Sequence, residues 1–322
     1  MKALQYHSKE KPLILDDLPD PPTSSDRILY EVLASALNHR DVWICQGLYP
    51  GIQPKVTLGS DGVVKHNGQH YMINPGLDWG SDPHLPSDSY TILGMPADGT
   101  FAEKIALSQE QLFQTPGHLS VFEAAALPLA GLTAYRLLFI RCQLQASDRV
   151  CVTGIGGGVA LTALQFAVAT GCEVWVTSSS INKIKKAVTL GAAGGQLYTE
   201  DQWHKKLLKD SGGFDVIIDS AAGDGFSHLI AMANKGARIG IYGGSKGNIS
   251  NLSPQRIFWK HLTIFGSSMG NASDFRNMVD FVDQNRIVPV VDSIFKLSDF
   301  ETAFQRMRMG EQFGKIVFDH KK

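Results

Sequence analysis

Residues 149–167 read "RVCVTGIGGGVALTALQFA". Four glycines occupy the five positions from Gly154 to Gly158, between the apolar run VCVT and a segment whose apolar residues recur at helical spacing. Glycine permits a tight turn and a close approach of the backbone to a bound group, and the free N–H groups of a helix N-terminus attract anions. In this strand-to-helix context the loop predicts a dinucleotide-binding turn that holds a pyrophosphate.

The segments that follow this loop alternate between strand and helix patterns. Helical patterns such as LTALQFAVATG, NKIKKAVTLG and FSHLIAMANKG separate most of the strand candidates. Those candidates are RVCVTG, EVWVTS, QLYT, FDVIIDS, RIGIYGG and LTIFGSS. Strand–helix alternation predicts an α/β fold with a parallel sheet covered on both faces, and six strands match a doubly wound nucleotide-binding sheet.

The regions on either side of the alternation have another texture. The first third reads as short strands, such as RILYEVLASALN, interrupted by frequent Gly and Pro. Ser120 with Glu123 forms a capping box in front of a helical pattern. The tail from Val288 returns to a strand–helix–strand pattern. We predict a β-rich domain made of residues 1–118 with 288–322, and a nucleotide-binding domain of residues 119–287.

The end of the second strand indicates which nicotinamide cofactor the loop holds. An NAD site usually has Asp or Glu there for the ribose 2′-hydroxyl, but no acidic residue lies between Glu173 and Glu200. The segment instead carries hydroxyls and cations, namely Thr177, Ser178, Ser179, Ser180, Lys183, Lys185 and Lys186. These groups suit a 2′-phosphate, which favours NADPH. A solvated helix face with an N-cap serine also explains Lys185 and Lys186, but not the missing acid.

Composition limits the function classes. The net charge is −1 and 43% of the 322 residues are hydrophobic, which argues against a nucleic-acid groove or a basic membrane face. The four cysteines are scattered without a CxxC spacing, as in a reduced cytosolic protein. The N-terminus shows no signal-peptide pattern and no apolar run approaches the length of a membrane span. We expect a soluble cytoplasmic protein that acts on a small molecule.

Taken together, the motifs resemble the medium-chain dehydrogenase/reductase superfamily over essentially the whole chain. In the order of that superfamily they are LNHRDVWICQGLYP, LGSDGVV, INPG, DGTFAEKIAL, EAAALPLAGLTAY, VTGIGGGVA, FDVIIDSAAGD, FGSSMG and GKIVF. The resemblance implies a GroES-like, β-rich catalytic domain completed by the C-terminal tail, with a six-stranded Rossmann domain inserted between its two parts. It also implies a homodimer in which the last Rossmann strands pair.

The resemblance departs from the zinc-containing branch at the metal positions. Zinc alcohol dehydrogenases carry Cys where this chain has Asn38, and Gly-His-Glu where it has Gly59, Ser60 and Asp61. A catalytic zinc needs about three protein ligands, and Asp61 alone does not supply them. The cysteines of the structural-zinc lobe are also missing from residues 74–94. We predict that the protein binds no metal.

Without zinc, reduction of an electrophilic acceptor is easier than oxidation of an alcohol, because the cofactor supplies the difficult step. The zinc-free quinone oxidoreductases carry Asn-x-x-Asp where this chain has Asn38 and Asp41. By resemblance, Asn38 donates to a substrate oxygen and Asp41 orders the loop. A structural cap is an equal alternative for Asp41. Tyr49 is the best candidate to hydrogen-bond the substrate oxygen, with an aromatic lid or core role as its alternative. Either Tyr49 or a water molecule would supply the final proton.

The predicted cofactor contacts combine the glycine loop with positions carried over by resemblance. They are Thr133, Gly154, Gly156, Gly157, Gly158, Val159, Ser178, Ser179, Ser180, Lys183, Gly243, Gly244, Ser267, Ser268, Met269 and Lys315. The sequence thus predicts a zinc-independent, NADPH-dependent reductase of a quinone or an α,β-unsaturated carbonyl. A catalytically weak NADPH-binding protein, crystallin-like or regulatory, and an alcohol dehydrogenase-type enzyme remain the alternatives.

Overall fold

A computed structural model describes residues 1–321. The chain divides into two compact units. Unit 1 consists of residues Met1–Leu132 and the chain from Gly270 onward, and unit 2 of Thr133–Met269. No helix among residues 1–321 is long and apolar enough to cross a membrane.

Unit 2 is an α/β domain that contains the glycine loop. Its strands are β12 (Arg149–Val152), β13 (Glu173–Ser178), β14 (Gly194–Leu197), β15 (Phe214–Asp219), β16 (Ala233–Ile241) and β17 (Thr263–Gly266). Its helices are a π-helical turn (Arg136–Arg141), α4 (Gly158–Ala169), α5 (Ile181–Thr189), α6 (Trp203–Ser211), α7 (Phe226–Met232) and α8 (Pro254–Lys260). The strands form one sheet in the order β14-β13-β12-β15-β16-β17, and every pair is parallel. All six predicted strands and the doubly wound order are confirmed.

The central strands of this sheet are apolar because helices cover both faces. Val150 and Val152 in β12, and Ile217 and Ile218 in β15, are completely buried. Helix α4 is apolar nearly all round for the same reason, with Phe166 buried completely. The arrangement brings the carboxyl ends of adjacent parallel strands to one edge of the sheet, where such folds bind ligands.

Unit 1 is β-rich. Its strands are β1 (Lys2–Tyr6), β2 (Leu13–Asp17), β3 (Ile28–Ala36), β4 (Val56–Thr57), β5 (Asp61–His66), β6 (Gln69–Ile73), β7 (Gly76–Leu77), β8 (Thr91–Leu93), β9 (Pro96–Ala97), β10 (Lys104–Leu107), β11 (Leu112–Gln114), β18 (Val291–Lys296) and β19 (Lys315–Asp319). Its helices are α1 (His39–Cys45), α2 (Val121–Ala125), most of α3 (Pro128–Tyr135), α9 (Ala272–Gln284) and α10 (Phe300–Arg308), with 3₁₀ turns at Gln109–Gln111 and Leu297–Asp299.

The C-terminal tail belongs to unit 1. Strand β19 pairs with β18 in parallel and with β3 antiparallel, so the tail joins the sheet made by the first third of the chain. In the core beneath, the ring of Phe101 lies 5.1 Å from that of Phe318 and 6.4 Å from that of Phe304. This pairing fixes Lys315 at the start of β19, next to the end of β3 and the start of α1.

The boundaries between the units differ from those predicted. They fall after Leu132 and after Met269 rather than after residues 118 and 287. The reason is the packing of α9, which the alternating pattern had assigned to the nucleotide-binding domain. The ring of Phe275 in α9 lies 4.6 Å from Phe113 of unit 1. A Cβ added to Gly131 would lie 2.5 Å from the sulfur of Met278.

One predicted helix ends earlier than its pattern suggested. The segment FSHLIAMANKG is helical only to Met232, and strand β16 begins at Ala233. The amide of Asn234 donates to Asp215 at 2.9 Å, which holds this segment against β15. Tertiary contact therefore overrides the local helical pattern.

Candidate functional site

The carboxyl edge of the parallel sheet brings together most of the predicted cofactor residues. Gly154–Gly158 follow β12, Ser179 and Ser180 follow β13, Gly243 and Gly244 follow β16, and Ser267–Met269 follow β17. These segments are far apart in the sequence, and only the strand order makes them neighbours. All predicted cofactor contacts other than Lys315 thus lie in unit 2.

The glycine loop has a backbone conformation that other residues adopt with difficulty. Gly154 and Gly156 have φ values of +64° and +129°, which glycine adopts at little steric cost. The N–H of Ile155 donates to the carbonyl of Thr177 at 2.8 Å, and the N–H of Gly154 donates to the Thr177 hydroxyl at 3.3 Å. The end of β13 therefore fixes the shape of the loop that precedes α4.

Gly157 lies at the N-terminus of α4 and faces open space. It is the N-cap of this 12-residue helix, and a Cβ added to it meets no described atom within 4 Å. Ala160, one turn later, is 1% exposed and packs against the strand. The helix start therefore presents unbonded N–H groups to an open region, as phosphate binding requires.

Lys183 of α5 lies against the glycine loop. A Cβ added to Gly156 would come within 2.9 Å of Lys183 Cδ and 3.2 Å of its Nζ. Ser180 is the N-cap of α5, and the Ser178 hydroxyl accepts from the Ser180 N–H at 3.2 Å. By contrast, Lys185 is exposed on the same helix. The first of the three predicted cations is thus the one that the fold brings to the loop.

The remaining predicted contacts also lie near this edge. The Thr133 hydroxyl and the sulfur of Met269 are 3.9 Å apart. The buried hydroxyl of Ser267 has no hydrogen-bond partner among residues 1–321, so it can donate to a bound group. The open Gly157, the ammonium beside Gly156 and this hydroxyl fit a phosphorylated dinucleotide.

In unit 1, three predicted or neighbouring residues form a buried polar cluster. The ammonium of Lys315 donates to Asn38 Oδ1 at 2.5 Å and to Asp61 Oδ2 at 2.7 Å. Asn38 Nδ2 donates to the same Asp61 oxygen at 2.9 Å, and Asp61 Oδ1 accepts from the N–H of Leu129 at 2.7 Å. An ammonium cannot accept and a carboxylate cannot donate, so this pair fixes the orientation of the Asn38 amide.

This cluster changes the place of Lys315. The resemblance put Lys315 among the cofactor contacts, whereas the structure binds its ammonium to Asn38 and Asp61 within unit 1. The second Asn38 N–H has only a long contact of 3.5 Å to the carbonyl of Ala36 among the described residues. That N–H is the donor of Asn38 that the cluster leaves without a short hydrogen bond.

Asp41 caps the helix that carries the cluster. Its Oδ2 accepts from the backbone N–H of Asn38 at 2.8 Å, at the start of α1. Its side chain is completely buried, and its Oδ1 has no hydrogen-bond partner among residues 1–321. Burial raises the pKa of the Asp41 carboxyl to about 6, against the opposing effect of the Arg40 charge. The geometry favours the cap alternative for this residue.

Tyr49 contacts a buried arginine that the sequence did not single out. The Nε of Arg40 donates to the Tyr49 hydroxyl at 3.3 Å, and the guanidinium carbon lies 4.9 Å from the centre of the Tyr49 ring. Arg40 Nη1 also donates to the Ser60 hydroxyl at 2.5 Å. Tyr49 is half-buried and packs against the core of unit 1.

The side chains at the positions that bind zinc in the zinc alcohol dehydrogenases do not fit a zinc ion here. Asn38 and Asp61 accept hydrogen bonds from the Lys315 ammonium, and the Ser60 hydroxyl accepts from the Arg40 guanidinium. Two cationic side chains thus already engage these oxygens. No group of three His, Cys, Asp or Glu side chains among residues 1–321 is placed to hold a metal ion.

Known proteins are similar to this chain both in sequence and in architecture. A family model described as zinc-binding dehydrogenase matches residues 158–284. The zinc-type alcohol dehydrogenase-like protein YogA of Leptosphaeria maculans is 33% identical, over 96% of this chain and 94% of its own. This chain belongs to the medium-chain dehydrogenase/reductase superfamily. The resemblance seen in the motifs is thereby confirmed.

Solved structures of the medium-chain dehydrogenase/reductase superfamily agree with this assignment. An NAD-dependent alcohol dehydrogenase superposes with a TM-score of 0.92 at 31% identity, over 99% of each chain. The quinone oxidoreductase of Thermus thermophilus, solved also with NADPH, gives a TM-score of 0.84 at 25% identity, over 99% of this chain and 100% of its own. Both a zinc-type and a quinone-reducing branch of this oxidoreductase superfamily are therefore similar to the chain.

Two buried residues of unit 1 are not indicated as functional by any sequence motif. Asp61, a member of the cluster, stands out only as the remnant of a zinc position, and Arg40 does not stand out at all. Both are buried charged side chains, at 0% and 6% exposure. The sequence carries little signal for this burial, because Arg40 lies in the polar run Asn-His-Arg-Asp and charged side chains are usually exposed.

Proposed function

We propose that the protein is a zinc-independent, NADPH-dependent reductase that acts on a quinone or an α,β-unsaturated carbonyl compound. The observation that carries the cofactor assignment is the ammonium of Lys183 beside Gly156, at the end of a strand with no acidic residue. A carboxylate there would repel a 2′-phosphate, whereas a cation and hydroxyls bind it.

Bound NADPH would supply a hydride to the electrophilic carbon of the acceptor. The residues of unit 2 would hold it, with the N-terminus of α4 at the pyrophosphate and Lys183, Ser178 and Ser179 at the 2′-phosphate. Ser267 would use its unpartnered hydroxyl, and Thr133 with Met269 would pack against the nicotinamide.

The cluster in unit 1 would stabilise the oxygen of the substrate. Asn38, oriented by Lys315 and Asp61, would donate its second amide hydrogen to the carbonyl oxygen. Negative charge develops on this oxygen as hydride reaches the carbon, and fixed donors stabilise it. Tyr49 would then supply a proton to the reduced product. Asp41 would keep Asn38 in place through its cap.

The test begins with cofactor binding and ends with turnover. Nicotinamide fluorescence during titration with NADPH and with NADH should show tight binding of NADPH and weak binding of NADH. A screen with quinones, enones and enoyl thioesters should then give acceptor-dependent loss of NADPH absorbance. Tyr49→Phe should lower kcat by about 100-fold, within the range for a lost general acid, and leave the Kd for NADPH unchanged.

The alternatives give other results. If substitution of a proposed 2′-phosphate contact weakened the binding of NADH as much as the binding of NADPH, the assignment of NADPH would be wrong. NADPH binding without turnover on any acceptor would favour a binding or regulatory protein. Oxidation of simple alcohols by metal-free protein would favour the alcohol dehydrogenase alternative.

We also propose a homodimer formed through unit 2. Strand β17 lies at the edge of its sheet, so one side of its backbone has no strand neighbour among the described residues of that sheet. The preceding helix α8 exposes Trp259 at 73% and Phe258 at 54%. Light scattering should give twice the mass of the chain, and Trp259→Ser should shift the protein towards the monomer.

A further inference from the structure

Arg40 is a buried cation whose hydrogen bonds, among the described residues, all go to neutral oxygens. Its Nη1 donates to the Ser60 hydroxyl at 2.5 Å and to the carbonyl of Leu93 at 2.7 Å, and its Nη2 donates to the carbonyl of Met95 at 3.2 Å. Its Nε donates to the Tyr49 hydroxyl at 3.3 Å. Arg40 is 6% exposed, and burying a charge costs several kcal/mol. A neutral side chain could close a loop at a lower cost in free energy, so the buried guanidinium indicates a further role.

The hydrogen bonds of Arg40 are of two kinds: those that hold its guanidinium in place, and one that reaches Tyr49. Leu93, Met95 and Ser60 hold the two terminal nitrogens at fixed points of the fold. The remaining Nε reaches the hydroxyl of Tyr49, and the guanidinium carbon lies 4.9 Å from the centre of the same ring. A planar guanidinium with anchored terminal nitrogens has little freedom to turn, so it fixes the phenol oxygen.

The direction of this hydrogen bond follows from chemistry. Arginine has five N–H donors and no acceptor, so the Tyr49 oxygen must accept. The hydroxyl hydrogen of Tyr49 is therefore not used in this contact and stays available for another acceptor.

We propose that Arg40 is a positioning residue that acts through Tyr49 and sets it up to protonate the reduced substrate. This inference rests on the proposed function, in which Tyr49 is the proton donor. After hydride from NADPH reaches the β-carbon, the substrate carries an enolate. The O–H bond of Tyr49 breaks, its proton goes to the enolate, and the phenolate left beside Arg40 takes a proton from water.

The test combines a substrate-free readout with a double-mutant cycle. Protein labelled with 3-fluorotyrosine gives a ¹⁹F resonance for Tyr49, which the Tyr49→Phe variant identifies by its loss. Arg40→Gln should shift this resonance. Arg27→Gln is the matched control, because Arg27 lies in the same unit and its described hydrogen bonds go to the carbonyl of Ala106 rather than to a tyrosine. It should leave both the resonance and kcat unchanged.

The cycle measures whether Arg40 works through Tyr49. Arg40→Gln should lower kcat by about 10-fold with little change in KM, and Tyr49→Phe by about 100-fold. The double variant should be no slower than Tyr49→Phe alone, because residues that act as a unit are not additive. Ser60→Ala, which removes one anchor and keeps the charge, should lower kcat about threefold and be silent in the Tyr49→Phe background.

The outcomes separate the two proposals. If Arg40→Gln, or Ser60→Ala where the first variant does not fold, lowers kcat equally in the wild-type and in the Tyr49→Phe background, Arg40 is structural and this inference is wrong. An unshifted ¹⁹F resonance in Arg40→Gln also overturns it. If Tyr49→Phe leaves kcat unchanged, Tyr49 is not the proton donor and this inference is wrong, while the proposed reductase function stands. If no acceptor is reduced, the proposed function fails and the inference fails with it.

Discussion

The glycine loop of unit 2 leaves hydrogen-bond donors open to a charged ligand, whereas the polar cluster of unit 1 pairs its charges within the protein. At the loop, main-chain N–H groups at the start of α4 face open space, and a Cβ on Gly157 would meet no described atom. In the cluster, the charges satisfy one another, as when Lys315 binds both Asn38 and Asp61 with the lysine and aspartate side chains at 5% exposure or less. The loop is built to receive charge from outside, and the cluster to fix the direction of a few donors.

The difference shows how each region depends on its surroundings. The loop needs local backbone geometry, which a few glycines provide within one turn. The cluster needs three distant segments, because Asn38, Asp61 and Lys315 come from the start of α1, from β5 and from β19. Substitution of Gly157 should therefore abolish binding without loss of stability, whereas substitutions in the cluster should also destabilise unit 1.

Gly157→Val is the largest expected effect and tests the open side of the loop. A branched side chain at this position would fill the space where the pyrophosphate is proposed to lie. We expect the Kd for NADPH and for NADH to rise about 100-fold or more in a titration by nicotinamide fluorescence, with thermal stability little changed. Loss of a few charge-assisted hydrogen bonds accounts for such a factor.

Gly225→Val is the matched control for this change. Gly225 is the N-cap of α7 in the same unit, and a Cβ there also meets no described atom within 4 Å. The control should bind both cofactors normally. Unaltered cofactor binding by Gly157→Val would remove the loop from the site and end the comparison.

The sequence predicted the loop well and the cluster poorly, for a physical reason. Gly154, Gly156 and Gly157 follow a strand and open a helix within a short stretch of chain, so their role is a local property. The contact between Arg40 and Tyr49 depends on where residues 93–95 and 60 pass, and no local pattern encodes that. Lys315 was placed by resemblance near the site, but its partners became known only from the pairing of β19 with β3.

Lys315→Met tests whether the cluster is a closed unit. The variant leaves the Asp61 carboxylate, which is 0% exposed, without its ammonium. Breaking one partner of a buried ion pair costs about 3–5 kcal/mol of unfolding free energy. Denaturation by urea, followed by circular dichroism, should show this loss.

The control for this variant is an exposed pair of the same unit. Lys104 contacts Asp20 at 2.5 Å, with side chains 34% and 43% exposed. Lys104→Met should therefore lower the free energy of unfolding far less than Lys315→Met does. Equal losses for the two lysine variants would show that the cluster contributes no more than a surface contact.

Asp41→Asn tests the buried charge that caps α1, beside the cluster, through the pH dependence of stability. The pKa of Asp41 is raised from 3.8 to about 6 in the folded protein, so between these values the folded state binds more protons than the unfolded state. Its contribution to stability is therefore full below about pH 4 and is lost as the pH rises through 6. We expect wild type to lose about 3 kcal/mol relative to Asp41→Asn between about pH 4 and pH 7.

Asp292→Asn should show the opposite dependence of stability on pH: relative to this variant, the wild type should become more stable as the pH rises. Burial opposes ionisation of Asp292, but the hydrogen bonds from Arg306 and from the N–H of Phe313 lower its pKa overall. Stability from this carboxylate is present at neutral pH and is lost as the pH falls through its pKa. Urea midpoints of both variants and wild type at several pH values measure the two slopes, and parallel curves for Asp41→Asn and wild type would contradict the raised pKa.

Lys183→Ala is the smallest expected effect and the sharpest test of cofactor choice. The ammonium beside Gly156 is proposed to bind the 2′-phosphate, which NADH lacks. We expect the Kd for NADPH to rise about 10- to 30-fold, as for one charge-assisted hydrogen bond, with the Kd for NADH changed less than about twofold. Lys185→Ala, on the exposed side of the same helix, should change neither value. If Lys183→Ala weakened the binding of both cofactors equally, its ammonium would serve the pyrophosphate that both share, and the assignment of NADPH would lose the observation that carries it.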